Sequence, residues 1–198
     1  MLVREVMTTP VVTVPRERTV KQAVHLLYER DITAAPVLNE DGRLVGIVSE
    51  MDLLRGEFEA DPRAYLCPVA RPESVPPATV AEVMTPKVRT VSENADVVDL
   101  VEVMVGMGVK SVPVMRGSAL VGIVSRRDLM GILAHGDERI RDDVLATIRE
   151  LSAETADTRV TVHEGIVELT GDADERSARI ADAIARTVPG VIRVVHPR

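Results

Sequence analysis

The sequence predicts an α+β chain in which a β-α-β-β-α unit occurs twice in tandem and a smaller α-β-β-α-β domain follows. Three observations predict it. Short motifs recur once, in order: Val6-Met7-Thr8 returns as Val83-Met84-Thr85, Thr13-Val14 as Thr90-Val91, Pro36-Val37 as Pro113-Val114, and Leu44 to Ser49 as Leu120 to Ser125. Such recurrence, at an offset of 77 that shortens to 76 in the second hairpin, marks a duplicated structural unit. Within each copy the apolar spacing alternates between strand and helix periods. After His135-Gly136 the repeat stops and a different pattern begins.

In the first copy, Val11 to Val14 reads as a short strand closed by Pro15. A helix follows, with Thr19 as N-cap, Gln22 completing a capping box, and Val20, Ala23, Val24 and Leu27 on one face. Ala35 to Leu38 and Leu44 to Val48 flank Asn39-Glu40-Asp41-Gly42, a hairpin turn because Gly takes positive φ without steric cost. Ser49 to Arg55 closes the unit as a helix. The second copy repeats the order, with Asp96 as cap and Val97, Leu100, Val101 and Met104 as the apolar stripe; its methionines read as core filler. Gly106-Met107-Gly108 is a helix end rather than a phosphate loop. Between the copies, Glu57 to Thr79 holds Pro62, Pro68, Pro72, Pro76 and Pro77 and is a linker, since proline denies helix and sheet their hydrogen bonds.

In the tail, Ile140, Val144, Ile148 and Leu151 make one helical face. Arg159 to His163 alternates as a half-exposed strand, Glu164-Gly165 turns it, and Ile166 to Leu169 returns. Asp172 with Glu175 reads as a helix start, Ala178, Ala181, Ile184, Ala185 and Val188 line one side, and Pro189-Gly190 stops the helix before a last strand, Val191 to Val195. A domain this small must pack both helices on one face of its sheet.

Composition excludes several function classes. With 198 residues and 45% hydrophobic content the chain can bury a real core, and no apolar run suggests a membrane span. Its start is structured-looking rather than signal-like, which reads as cytoplasmic. The net charge of −7 argues against nucleic acid. Phe58, Tyr28 and Tyr65 are the only aromatics, so a bound purine must sit between aliphatic side chains. Cys67 is the single cysteine, which rules out an intrachain disulfide or a Cys cluster for zinc. His25, His135, His163 and His196 are scattered, with no i,i+4 pair among them, so no metal site is expected. Asp142-Asp143 sits at a helix start, where the dipole explains it, and with no nucleophile elbow or P-loop the chain does not read as an enzyme.

The remaining chemistry lies in Gly46-Ile47-Val48-Ser49-Glu50-Met51-Asp52-Leu53 and its repeat, Gly122-Ile123-Val124-Ser125-Arg126-Arg127-Asp128-Leu129. Each is a strand entering a helix. Unpaired N–H groups at such a start attract an anion, and a carboxylate one turn in can accept hydrogen bonds from a ribose diol. Ser-x-x-Asp is equally a plain capping box. Both readings stand. The copies differ in charge: the second has Arg126-Arg127 and, before its proline strand, Lys110, whereas the first has Glu50-Met51 and Thr33. An arginine fork grips phosphate and a glutamate repels it, so if one copy alone takes a phosphorylated ligand it is expected to be the one with Ser125 and Asp128; Arg126 and Arg127 equally read as solvated surface residues.

These motifs resemble a tandem pair of CBS domains, the Bateman module, over roughly Leu2 to Ala134. The tail, through Val167-Glu168-Leu169-Thr170-Gly171 and Val188-Pro189-Gly190-Val191, resembles a BON domain. The resemblance divides the chain into a first CBS domain (1–56), a proline-rich linker (57–79), a second CBS domain (80–136) and a BON-like domain (137–198). It implies two units packed sheet to sheet with two clefts, and a homodimeric disc. It also implies adenosine-containing ligands such as AMP, ADP, ATP, NADH or S-adenosylmethionine. Carried onto this sequence, Asp52 and Asp128 would hold ribose hydroxyls, and Ser49 and Ser125 would cap the helix or touch ribose and phosphate. The base pocket would be lined by Thr13, Val14, Ala35, Pro36, Val37 and Ile47, and by Thr90, Val91, Val112, Pro113, Val114 and Ile123, through backbone and aliphatic groups. The BON likeness implies contact with phospholipid or protein; an acidic tail without aromatics favours an unidentified protein partner over a membrane. The function implied is ligand-sensing regulation. Its rival is a scaffold with empty clefts that presents BON-like domains.

Overall fold

Thr19 begins the first long helix as its spacing predicts. In the computed structural model, which describes residues 1–55, 57, 58, 61, 63, 77–151, 158–171 and 174–196, its Oγ1 accepts the Gln22 N–H at 3.2 Å and Gln22 Oε1 accepts the Thr19 N–H at 3.3 Å. Most of the expected linker, with Cys67, and the expected cap Asp172 lie outside the described residues.

The first copy is built from Val14–Pro15 (β1), Val20–Glu29 (α1), Ala34–Leu38 (β2), Leu44–Ser49 (β3) and Glu50–Leu54 (α2). The strand expected over Val11 to Val14 is shorter and ends on Pro15, which is tolerated because β1 is an edge strand. It runs parallel to β2, while β2 and β3 form the antiparallel hairpin, with Gly42 at φ +73° in its turn. Val20, Ala23 and Leu27 pack with Val14, Ala35, Val37, Val48 and Leu53 in one core. Val24, at the margin of the stripe, is 39% exposed.

The second copy comprises Val80–Val83 (α3), Val91–Ser92 (β4), Val97–Met107 (α4), Ser111–Arg116 (β5), Ala119–Ser125 (β6) and Arg126–Leu133 (α5). Its sheet has the order β4-β5-β6. Asp96 caps α4 by accepting the Val98 N–H at 3.0 Å, and Gly108 ends it in the left-handed region. Val97, Leu100 and Met104 are buried, whereas Val101 is exposed.

The tail holds Asp137–Leu151 (α6), Arg159–His163 (β7), Ile166–Thr170 (β8), Glu175–Ala185 (α7) and Arg193–Val195 (β9), in a sheet of order β7-β8-β9. Ile140, Val144 and Ile148 of α6 and Ala181, Ile184 and Ala185 of α7 share one core with Val160, Val167, Leu169 and Val194, so both helices cover the same face. Leu151 is exposed. The cap of α7 is Asp174, which accepts the Ser177 N–H at 2.7 Å, in place of the Asp172–Glu175 start expected. Ser177 is the first buried position of the helix, and the cap precedes it by three residues.

The chain forms two compact units that cut across the repeat: one gathers Met1–Thr8, Glu93–Lys110 and Val124–Arg198, the other Thr9–Ser92 and Ser111–Ile123. An exchange of leading segments contributes to the division. In the first unit, the N–H groups of Val3 and Arg4 donate to the carbonyls of Ala95 and Glu93, and that of Val97 to Met1. In the second, the repeat of this arrangement has Val80 and Ala81 donating to Arg18 and Arg16, and Val20 to Ala78. Val80 thereby joins the core of the first copy. Thr85 then exchanges both backbone hydrogen bonds with Ile47 on β3, at 3.0 and 2.9 Å.

Candidate ligand-binding site

Both Ser-x-x-Asp motifs fold as the capping boxes that their spacing permits. Ser49 ends β3 in an extended conformation, and Asp52 Oδ2 accepts its N–H at 2.9 Å and its hydroxyl at 2.6 Å. Ser125 does the same after β6: Asp128 Oδ2 accepts its N–H at 2.7 Å and its hydroxyl at 2.8 Å, and the Asp128 N–H reaches Ser125 Oγ at 3.4 Å. The other oxygen, Oδ1, accepts the Thr8 hydroxyl at 3.4 Å. A carboxylate has roughly four acceptor positions. Ser125 takes two on Oδ2, so Oδ1 is the face that can meet a ligand hydroxyl, with the long Thr8 bond yielding.

The helix starts are less open to an anion than their sequence implies. The first-turn N–H of Glu50 donates to the Thr33 carbonyl at 3.0 Å, and that of Arg126 to the Lys110 carbonyl at 2.9 Å. With these donors engaged, attraction for phosphate at α5 falls chiefly to side chains. Lys110, Arg126 and Arg127 are all exposed there. Arg126 commits Nε to the Val109 carbonyl at 3.1 Å, which anchors the base of its guanidinium. Glu50 and Met51 hold the corresponding exposed positions at α2.

The expected base-pocket residues divide by strand alternation. Val14, Ala35 and Val37 are fully buried in the first copy's core, and Val112 and Val114 are equally inaccessible. These residues, backbone included, are therefore not accessible to a ligand in this conformation. Pro36 pairs with Ile47 on the opposite face of the hairpin; Pro36 and Pro113 are buried, while Ile47, Thr13, Val91 and Ile123 are half-buried. Thr90 is exposed and lines an open crevice of about 500 Å³ with Arg43, Leu44, Val45, Pro86, Val88, Met115 and Ser118. Lys110, Ser125, Arg126, Arg127 and Asp128 belong to the unit that contains the tail, and the other expected residues to its counterpart.

Thr8 is the member of the site that sequence reasoning missed. Its only signal was the recurrence of Val-Met-Thr, to which no role attached. Two histidines also meet a carboxylate: His25 Nε2 lies 3.2 Å from Glu29, four residues on, and His196 Nε2 lies 3.2 Å from Asp182. Neither pair gains a third ligand; among the described residues no group of three His, Cys, Asp or Glu can hold a metal ion. Among the described residues, no helix is long and apolar enough to cross a membrane.

Residues 3–59 and 80–135 match the family described as CBS domain, and residues 136–196 the family described as BON domain. Over 138 residues the chain is 29% identical to the A-adding tRNA nucleotidyltransferase of Aquifex aeolicus; the match covers 70% of this chain but only 15% of that enzyme. Over 154 residues it is 30% identical to the uncharacterized protein MJ1426 of Methanocaldococcus jannaschii, covering 67% of this chain and 91% of the relative. Among solved structures, the CBS domain pair of protein MJ0100, in complex with 5-methylthioadenosine and S-adenosyl-L-methionine, superposes with a TM-score of 0.55 at 25% identity, over 67% of this chain and 94% of that one. CBSX2 in complex with AMP gives a TM-score of 0.53 at 25% identity, over 66% and 93%.

Proposed function

Because this chain belongs to the CBS-domain family and carries a BON domain after its CBS pair, we propose that it is a ligand-sensing regulatory protein. Its CBS pair binds an adenosine-containing molecule of the class AMP, ADP, ATP, NADH or S-adenosylmethionine, and the BON domain reports occupancy to a protein partner. The observation that carries this reading is the second copy's helix start, where Asp128 Oδ1 meets, among the described residues, the long Thr8 bond, and Lys110, Arg126 and Arg127 are exposed. Adenosyl ligands in the CBS pairs of MJ0100 and CBSX2 support the ligand class.

On binding, Asp128 accepts the ribose hydroxyls through Oδ1, Ser125 keeps the carboxylate aimed, and the cations draw in phosphate. At the first copy Glu50 repels phosphate, so that copy takes an uncharged adenosyl group or none. Occupancy shifts the protein only by the ligand's difference in affinity between two states. The exposed apolar residues Val98, Val101 and Val105, at helical spacing on α4, support a homodimer.

A scaffold with empty clefts is the second reading, favoured by the fact that Ser49 and Ser125 each engage one oxygen of their carboxylate, Oδ2, as an ordinary capping box does. Calorimetric titration with the five adenosyl compounds separates the two. Saturable binding that is lost in Asp128→Ala and less affected in Asp52→Ala supports the sensor; silence across the panel, or equal loss in both variants, overturns the assignment. Co-flotation of the full chain with phospholipid vesicles would replace the protein partner by a membrane.

A further inference from the structure

The tail is joined to α5 by three residues, Ala134 to Gly136. A three-residue connection sets a distance and leaves the angle between its helices free. Here contacts between distant parts of the chain gather around the connection. Asp137, the first residue of α6, spreads its carboxylate over the β7–β8 turn: Oδ2 accepts the Glu164 N–H at 2.9 Å and Oδ1 the Gly165 N–H at 3.0 Å. Both turn residues have positive φ, +49° and +73°. The turn in turn holds the segment before β9, through Ile192 N–H to the Gly165 carbonyl at 2.9 Å. That segment closes back on the connection, because a β-carbon on Gly190 would lie 3.0 Å from Ile140 and 3.4 Å from His135 Cβ. On the other side, the N–H groups of Ala134 and His135 still bond to the carbonyls of Met130 and Ile132 in α5.

We propose that Asp137 is the positioning residue of a rigid joint, and that α5 and the tail sheet move as one body. The parts interlock in a ring of connection, hairpin turn and Gly190, and the carboxylate is the charged group that bridges it. The regulatory meaning of the joint rests on the sensor reading above: Ser125 and Asp128 form the first turn of the same α5, so a shift of that helix on occupancy carries the sheet with it.

The test uses the full chain without any nucleotide, so it can fail while ligand binding holds, and ligand binding can fail while the joint stands. With Cys67 replaced by Ser, spin labels at Met130 on α5 and Thr161 on β7 report the joint by pulsed electron spin resonance. Labels at Arg141 on α6 and Arg179 on α7 report the tail alone. The expected result is one narrow Met130–Thr161 distance, lost in Asp137→Ala, partly kept in Asp137→Asn, with the Arg141–Arg179 distance narrow throughout. A broad Met130–Thr161 distance in the parent, or a narrow one in Asp137→Ala, overturns the proposal. So does broadening of the Arg141–Arg179 distance in both variants, which would make the carboxylate a support of the tail's own fold.

Discussion

Gly46 makes room for Met84: a β-carbon at 46 would lie 2.5 Å from the Met84 sulfur and 3.2 Å from the Thr85 carbonyl oxygen. The glycine that opens the first copy's Gly-Ile-Val-Ser and the methionine of the second copy's Val-Met-Thr are two sides of one contact, kept in register by the Ile47–Thr85 pair.

Gly46→Ala should therefore overpack this contact, at about 1–3 kcal/mol, against about 0.4–1 kcal/mol returned by a less flexible unfolded chain. Urea unfolding of the variant in parent and Met84→Ala backgrounds measures it. The cost should shrink once the Met84 side chain is truncated; an equal cost in both backgrounds would place the strain elsewhere.

Thr19→Ala and Asp96→Ala each remove a helix cap and should each lower stability by about 1 kcal/mol, with Thr19→Ser close to neutral. Shifts in the urea midpoint at constant slope would bear this out. Loss confined to one variant would mean that the other cap is replaced by water.

Signals of this kind, closed within four residues of chain, are what the sequence makes legible: the Thr19–Gln22 box, the Asp96 cap, the Gly42 turn and both Ser-Asp boxes. Helical spacing also finds Val20, Ala23 and Leu27, but it cannot say whether a neighbour covers the margin of the stripe, and Val24, Val101 and Leu151 stay exposed. In the site, period-two alternation already separates Ala35 and Val37 from Pro36, so three consecutive side chains cannot line one pocket. The pairings of Val3 with Ala95, Thr8 with Asp128 and Asp137 with Gly165 leave no local pattern, because their partners are distant in the chain.

Acid should weaken the tail. Backbone N–H bonds from Gly165 and Glu164 hold Asp137 below the usual carboxylate range, those from Ser177 do so for Asp174, and the Arg186 and His196 side chains do so for Asp182. A depressed folded value means that the stabilisation is present above the unfolded value, about 3.9, and is lost as pH falls through the folded one. Hydrogen exchange of Val167 and Val194 should accelerate as pH is lowered below about 4 beyond the intrinsic trend, and less so in Asp182→Asn. Matching profiles in parent and variant would remove Asp182 from the account.

Arg126→Glu gives the second copy the charge that the first has at Glu50. If Arg126 reads phosphate, the Kd for ATP should rise about tenfold or more, while that for adenosine changes little. Salt should narrow the difference. Parallel loss for both ligands would instead make Arg126 a support of α5 through its bond to Val109.

The exchanged leading segments bear on how such a chain arises. A polypeptide holding one copy would have a lead whose seat exists only on another molecule, so its smallest folded form would be a swapped pair. Joining two copies end to end turns that encounter into an internal one, governed by the effective concentration that the connecting stretch sets. Folding then no longer depends on how much of the protein is present, and the two copies are free to diverge, one toward Glu50 and the other toward Arg126.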